Sequence, residues 1–480
     1  MKTIYLQLSI ALIATACGDV LDQYPPTNLT SATYYKTADD AKAAVGACYA
    51  NIGGTDPFVD LVTTDDAIPF LTGSADRPIL WRYNITPSNT FITQFASAYS
   101  GINRANTVIG RLPTIPMDEA LKTRYIAEAK FQRALHYFNL VRTYGDVPLV
   151  LTESTSLDGL TVPRDPMDNV YAQIETDLKD AEGVLPKSYP AADAGRATQG
   201  AAKGILAKVY LTRAGTTAGS PYWAQAAAKA KEVMELGVYD LYANFADAFA
   251  LSARGGKENI FEIQYLTDVK GHGLGRGYGV RSAPIYPGTG SGIARPTESL
   301  YKLYLDTDKR KAVTFITSYV YNSVTTNLSI TDPDFTKAVS FQKLWDRSAK
   351  TASGEGTSLP ILRFSDILLM YAEAANEANG APTEDAYTAL NRVRIRAGLD
   401  PLSGLTYQTF KEAVWLERRL ELVFENVRRF DLLRTGQLID AVKAETSFSR
   451  NPTIEPFHVL LPIPQQDMDA NPALEQNPGY

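Results

Sequence analysis

Cysteine is almost absent: the 480 residues carry Cys17 and Cys48 and no others. Two cysteines cannot build a disulfide framework, and Cys48, in the apolar stretch AAVGACYA, reads as a buried helix residue. Histidine is as scarce. His136, His272 and His458 lie far apart and show no metal-ligand spacing, so nothing points to a zinc site. Positive charge is not in excess either: the formal net charge is −6 and no Lys or Arg run stands out, which argues against a nucleic-acid partner. Beyond the N-terminus no hydrophobic run is long enough to cross a bilayer. A Gly-x-Ser-x-Gly elbow is missing, and the Gly-rich run at 271–279 lacks the setting and the Lys-Ser/Thr ending of a phosphate cradle. Asp65-Asp66 is the one tempting carboxylate pair, but adjacent loop residues rarely face one cleft across the roughly 5–10 Å that glycoside hydrolysis needs. We therefore expect no cofactor and no catalytic residues, and a solvated or hydrogen-bonding role for the aspartates.

What is present begins with tyrosine, 27 residues against 18 phenylalanines. A tyrosine ring has an apolar face and a polar tip, which suits helix packing, wet interfaces and sugar sites alike. The first seventeen residues read as a targeting segment: Lys2, an apolar stretch from Ile4 to Ala14 too short to span, then Ala14-Thr15-Ala16-Cys17. That tetrapeptide resembles a lipobox, loosely because Ala14 replaces the usual Leu, and it assigns residues 1–17 to a signal peptide with acylation at Cys17. A plain signal peptide cut near Ala16 is the alternative. Lipidation would anchor the protein to a membrane without spanning it. Gly18, Asp19, Asp22 and Pro25-Pro26 then form an extended, acidic tether.

Periodicity predicts helices over 38–52, 92–111, 118–143, 167–185, 198–214, 222–236, 365–379, 383–397 and 406–427. The best is 118–143, where Phe131, Ala134, Leu135, Phe138 and Val141 share one face behind an Asp118 cap. Asp168 is a second expected cap. Small residues at Ala201, Ala202, Ala207, Ala226, Ala227 and Ala230 would let two helices approach closely, as in a tetratricopeptide unit. Two stretches break the pattern: 55–92, rich in Thr, Asp, Pro and Gly, and 240–360, with dense glycine at 271–292 and short strands expected at 259–266 and 313–321. Residues 449–480 read as a Pro-rich tail. The fold expected for residues 18–480 is a single, mostly α domain. An interrupted helix-pair scaffold (about 38–54, 92–240 and 362–448) carries two irregular regions on which binding residues should concentrate.

Seven segments, in order, resemble the SusD/RagB family of nutrient-binding lipoproteins: the lipobox with LDQYPPT, YSGINRANTVI, AEAKFQRALHYFNLVRTYGDVPLV, ATQGAAKGILAKVYLTRAG, LRFSDILLMYAEAANEANG with ALNRVRIRAGL, ERRLELVFENVRRFDLLRTG, and LLPIPQQDMDANPALEQNPGY. The resemblance implies four tetratricopeptide-like units, a place on the cell outer membrane facing the exterior, and a SusC-like TonB-dependent transporter as partner. It also implies capture of oligosaccharides, or in some relatives peptides, without chemistry. Within the best-matching motif, Arg418, Arg419, Arg428 and Arg429 alternate with Glu417, Glu421 and Glu425, which reads as intrahelix and interhelix ion pairing.

A sugar site needs a flat ring beneath a pyranose face and polar groups for its hydroxyls. Trp81-Arg82-Tyr83-Asn84 supplies both kinds, and the family places a Trp with an Asn three positions on in its glycan site, a spacing Trp81 and Asn84 match. Tyr278 and Tyr286, with Arg276 and Arg281 beside them, would complete an aromatic platform. The competing reading has Trp81 plugging the scaffold under its loop. Two alternatives to glycan capture also stay open: the same scaffold taking oligopeptides, or a helical adaptor with no small ligand.

Overall fold

The computed structural model describes residues 35–52, 57–155 and 161–480. Cys17, the tether and the Gly53-Gly54 stop lie outside the described residues. The scaffold consists of α1 (Ala38–Cys48), α2 (Gln94–Arg111), α3 (Glu119–Tyr144), α4 (Met167–Val184), α5 (Gln199–Ala214), α6 (Pro221–Met234), α7 (Phe364–Asn379), α8 (Glu384–Arg396), α9 (Tyr407–Leu422) and α10 (Arg428–Arg434). Most start behind a side-chain cap. Asp118 caps α3 through Leu121 N–H at 2.8 Å, and Thr198, Ser220, Thr383 and Thr406 cap α5, α6, α8 and α9 in the same way. Asp168 is not a cap: Pro166 precedes α4, and Asp168 sits in its first turn.

Successive helices pack on one another from α1 to α6, and α6 packs directly on α7, which also receives α8 and α9. Residues 235–363 thus leave and return between two touching helices, so the array is mostly α, tetratricopeptide-like in its succession of pairs, and interrupted by a long insertion. Close approach is written into two glycines. A Cβ on Gly101 would meet His136 Nε2 at 2.1 Å, and one on Gly204 would meet Leu362 Cδ2 at 2.4 Å. Those contacts seat α2 on α3, and α5 on the strand leading into α7. Cys48 closes α1, buried, its thiol pushed up to about 12 by burial.

The strands are short and all pair antiparallel: β1 (Ala67–Pro69) with β3 (Ala294–Pro296), β2 (Asn259–Ile263) with β8 (Leu359–Arg363), β4 (Phe315–Ile316) with β7 (Ser340–Phe341), and β5 (Ser318–Tyr321) with β6 (Val324–Asn327). The 240–360 region also holds short helices at Leu274–Tyr278, Glu298–Leu303 and Arg310–Thr314 and is irregular elsewhere. The 55–92 region departs from the expected loop in the same way. It holds short helices at Phe58–Val62 and Asp76–Arg82 as well as β1. Pro78 falls in the first turn of the second helix, where proline removes no needed N–H, so the Pro-rich composition concealed a helix.

Two further expectations are corrected. α9 ends at Leu422, because buried Lys343 takes the carbonyls of Glu421 and Val423 at 2.9 Å each, and Phe424 and Asn426 turn left-handed, φ 70° and 56°. The charged motif also makes its ion pairs between elements rather than along the helix. Glu421 meets Arg363 at 2.9 Å, Arg396 at 2.5 Å and Arg310 at 3.3 Å. Glu417 meets Arg310 at 2.6 Å and Arg394 at 3.0 Å, while Arg418 bridges Asp366 and Asp431. Arg429 forms no ion pair among the described residues and instead donates to Tyr83 Oη at 3.0 Å and to the His458 carbonyl at 3.1 Å. Burial alone would raise the Glu421 carboxyl, but the guanidinium groups of Arg396, Arg363 and Arg310 outweigh it and hold it far below the usual range. This lattice ties Arg310, Lys343 and Glu258 of the insertion to the scaffold.

Candidate functional site

The two irregular regions meet through β1 and β3, with Ile68 opposite Arg295 and the Phe70 N–H donating to the Ile293 carbonyl at 2.9 Å. A three-residue ladder holds little by itself. It is locked from below, where Thr297 Oγ1 donates to the Asp65 carbonyl at 2.8 Å and Asp65-Asp66 are gripped by the scaffold. Arg428 forks onto both Asp65 oxygens at 2.9 Å, and Arg419 reaches Asp66 at 2.9 Å and Asp65 at 3.0 Å. Both aspartates are buried and salt-bridged, so they anchor the loop and do not line a cleft.

Above this junction sits a cluster of half-exposed aromatic and guanidinium groups. Phe70 and Phe335 meet edge to face, 5.2 Å between centroids. The Arg281 guanidinium lies 3.7 Å over the Phe70 ring, its Nη1 donating to the Ser291 carbonyl at 2.7 Å. Arg77 is close enough for burial and the Arg281 charge together to lower its pKa. Phe448, 39% exposed, completes the rim. A second cluster joins Tyr286 to Trp345 at 4.4 Å, with Arg347 lying 3.8 Å over the indole.

Of the residues singled out from sequence, the structure brings Arg281 to the rim, with Arg276 nearby donating to the Gly288 carbonyl. It separates the others. Trp81 is 0% exposed, inside the short helix Asp76–Arg82 and beside the Arg450 guanidinium at 5.5 Å. Tyr83, at φ 64°, turns inward and donates to the Thr63 carbonyl. Tyr278 is 0% exposed against Phe424, and Tyr286 is buried under Trp345. These four rings present no face to solvent, which corrects the expected platform: Trp81 and Tyr278 serve the core. Asn84 is exposed and accepts from Thr453 Oγ1 at 2.7 Å, and Arg82 is half-buried, its guanidinium 5.9 Å from the Trp81 ring. The Gly-rich run is packed rather than free, since a Cβ on Gly275 would lie 2.5 Å from Trp345.

The residues missed were Phe70, Phe335, Phe448, Trp345, Arg77 and Arg295. The reasoning applied to Trp81, an aromatic alone among polar turn residues, fits Phe335 in TDPDFTKAV better. Among the described residues no three His, Cys, Asp or Glu side chains gather as metal ligands, and no helix is long and apolar enough to cross a membrane. What the rim offers is stacking surface and hydrogen-bond donors.

Comparison with known proteins agrees with the motif order. Residues 312–480 match the model of the SusD family, and residues 63–211 match a model described as starch-binding, associating with outer membrane. A SusD-like protein of Formosa agariphila is 26% identical over 100% of this chain and 99% of its own, and one of Bacteroides ovatus 27% identical over 98% and 96%. Among solved structures, a SusD superfamily protein from Parabacteroides distasonis superposes with a TM-score of 0.81 at 27% identity, covering 94% of this chain and 100% of that one. A laminarin binding SusD-like protein superposes at 0.78 and 27%, covering 93% and 100%. The class the fold defines is a mostly helical, repeat-like protein, and this chain is similar to SusD-family proteins in two matched stretches of its sequence and across its whole fold.

Proposed function

We propose that the protein captures oligosaccharides at the outer face of the outer membrane, anchored through Cys17, and passes them to a TonB-dependent transporter without altering them. The observation that carries this reading is the Phe70–Phe335–Arg281 cluster, half-exposed and assembled only where the two loop regions join. The matched family descriptions and the laminarin-binding neighbour support the ligand class. A ring covering about 60 Å² of a sugar face contributes roughly 1.5 kcal/mol. Two or three such contacts, less the cost of association, give micromolar to millimolar affinity, weak enough for handover.

Isothermal titration with laminarin and a panel of other glycans tests this, using Phe70→Ala and Phe335→Ala. Each variant is expected to bind about tenfold more weakly with a melting curve close to that of the parent. Binding left intact by both substitutions would remove the site assignment. Burial of Trp81, Tyr278 and Tyr286 is also what oligopeptide capture would produce, so the panel carries a peptide mixture, and saturable peptide binding without glycan binding would replace the ligand class. Recovery of a large β-barrel partner in mild detergent tests the transporter, and loss of Cys17→Ala protein from outer membrane tests the anchor.

A further inference from the structure

Arg295 is fully buried, yet it has no carboxylate partner among the described residues. Its Nη1 donates to the Asp332 carbonyl, while Nε and Nη2 have no hydrogen-bond partner among those residues. The guanidinium carbon lies 5.0 Å from the Phe335 ring and 4.2 Å from the Phe448 ring. Beside it, Arg77 and Arg281 likewise form no ion pair among the described residues, and Arg77 Nε is also without a partner. The nearby carboxylates are engaged by neutral donors. Asp76 accepts from Thr90, Asp332 from the Asp334 N–H, and Glu445 from Ser299 and the Ser447 N–H. Three guanidinium groups therefore lie around the Phe70–Phe335 pair with no ion pair among the described residues; the Asp332 carboxylate is near enough to act on Arg295 but is not in salt-bridge contact with it.

A buried cation with two idle donors is costly unless something completes it. The idle pair is the Nε–Nη2 edge, the edge from which arginine holds two oxygens of one carboxylate, phosphate or sulfate. Phe448 lies against the guanidinium, 4.2 Å from it, and its backbone and that of Ser449 are both left-handed, φ 54° and 56°. Non-glycine residues hold that conformation only under constraint, which favours a segment able to change.

Resting on the glycan-capture reading, we propose that the glycan is anionic, and that the Nε–Nη2 edge of Arg295 takes its uronate carboxylate or sulfate ester when Phe448 moves aside. Arg281 and Arg77 then flank the charged sugar, and Phe335 and Phe448 border it.

Titration of the full-length protein with a polyuronate, a sulfated galactan and neutral laminarin tests the idea, each at low and high salt. The expected result is tighter binding of one anionic glycan, weakened by salt, and which of the two binds separates carboxylate from sulfate. Arg295→Gln should lose about ten- to a hundredfold of that affinity while keeping any binding of laminarin. Arg281→Gln, a half-exposed position, should lose less and provides the reading if Arg295→Gln does not fold. Equal binding of neutral and anionic glycans, or anionic binding untouched by both substitutions, overturns the proposal and leaves glycan capture standing. Failure to bind any glycan overturns both.

Discussion

The arginines of the scaffold and those of the loop face do opposite things. In the scaffold and the lattice that joins the insertion to it, Arg310, Arg363, Arg396, Arg418 and Arg434 are buried and each is met by carboxylates within 2.5–2.9 Å. On the loop face, Arg77, Arg281 and Arg295 meet rings and carbonyls. Pairing makes the first set structural: taking a guanidinium from water is costly, and a carboxylate at close range offsets it. Buried Arg429 and Arg450 also lack a carboxylate among the described residues but donate to a hydroxyl and to carbonyls, whereas Arg295 keeps Nε and Nη2 without a partner there, which leaves room for a charge from outside. The largest expected effect tests the first half of the contrast. Glu421→Ala removes one carboxylate from Arg310, Arg363 and Arg396 at once, although Asp308, Glu417, Glu258 and Glu425 stay in contact with them, so we expect a loss of about 3–5 kcal/mol, read by chemical denaturation. A loss below about 1 kcal/mol would mean that water reaches the network and that pairing is not what holds the insertion to the scaffold.

Much of the scaffold half was legible beforehand. The α3 stripe and its Asp118 cap depend on residues three and four apart, which sequence displays directly. Partners in the ion lattice do not: Arg419 finds Asp66, and Arg363 finds Glu258, across loops that no periodicity measures. The site failed for the same reason. Trp81 was read from its polar neighbours, but its burial is decided by Arg450 and the C-terminal segment far along the chain. Arg281 was found because its own loop is composed for it, whereas Arg295 sits in a short strand whose role is set by Phe448. The second prediction follows. Trp81→Ala should cost about 3–5 kcal/mol of stability and leave glycan affinity unchanged below the melting transition. Intact stability with lost binding would return Trp81 to the site.

The pH dependence of stability sharpens the contrast from the scaffold side. Glu421 and Asp366 have folded pKa values below their unfolded ones, so the folded state binds fewer protons in acid. Their contribution is present above about pH 4.5 and is lost as pH falls through the depressed values. Asp60 runs the other way. Burial, against the Arg429 N–H bond, raises its carboxyl to about 7, and it lines a cavity of about 110 Å³ with Arg142. A raised acid costs stability as pH climbs from about 4 through 7, because the unfolded chain releases its proton first. Asp60→Asn should therefore gain stability over the parent on going from pH 5 to pH 8, on the order of 2 kcal/mol. Parallel pH profiles would show that Asp60 is ionised beside Arg142 after all.

The smallest expected effect falls on the loop face. Arg347 is exposed and forms no ion pair among the described residues, like the rim arginines, yet its guanidinium lies 3.8 Å over Trp345. Tyr286 contacts the same indole at 4.4 Å, so Trp345 is held between the two. Arg347 also donates to Gln342 at 2.9 Å. These contacts account for it locally: a solvated cation on an indole contributes about 0.5–1 kcal/mol and needs no external anion. Arg347→Ala should thus lower stability by about that amount and leave the affinity for anionic glycans unchanged, whereas Arg281→Gln should reduce it. If Arg347→Ala weakens binding as much as Arg281→Gln does, the charge that matters is spread over the whole face. Recognition would then be general electrostatic attraction instead of a site centred on Arg295. A midpoint shift with binding intact keeps the line between the arginines that hold the fold and those that wait for a ligand.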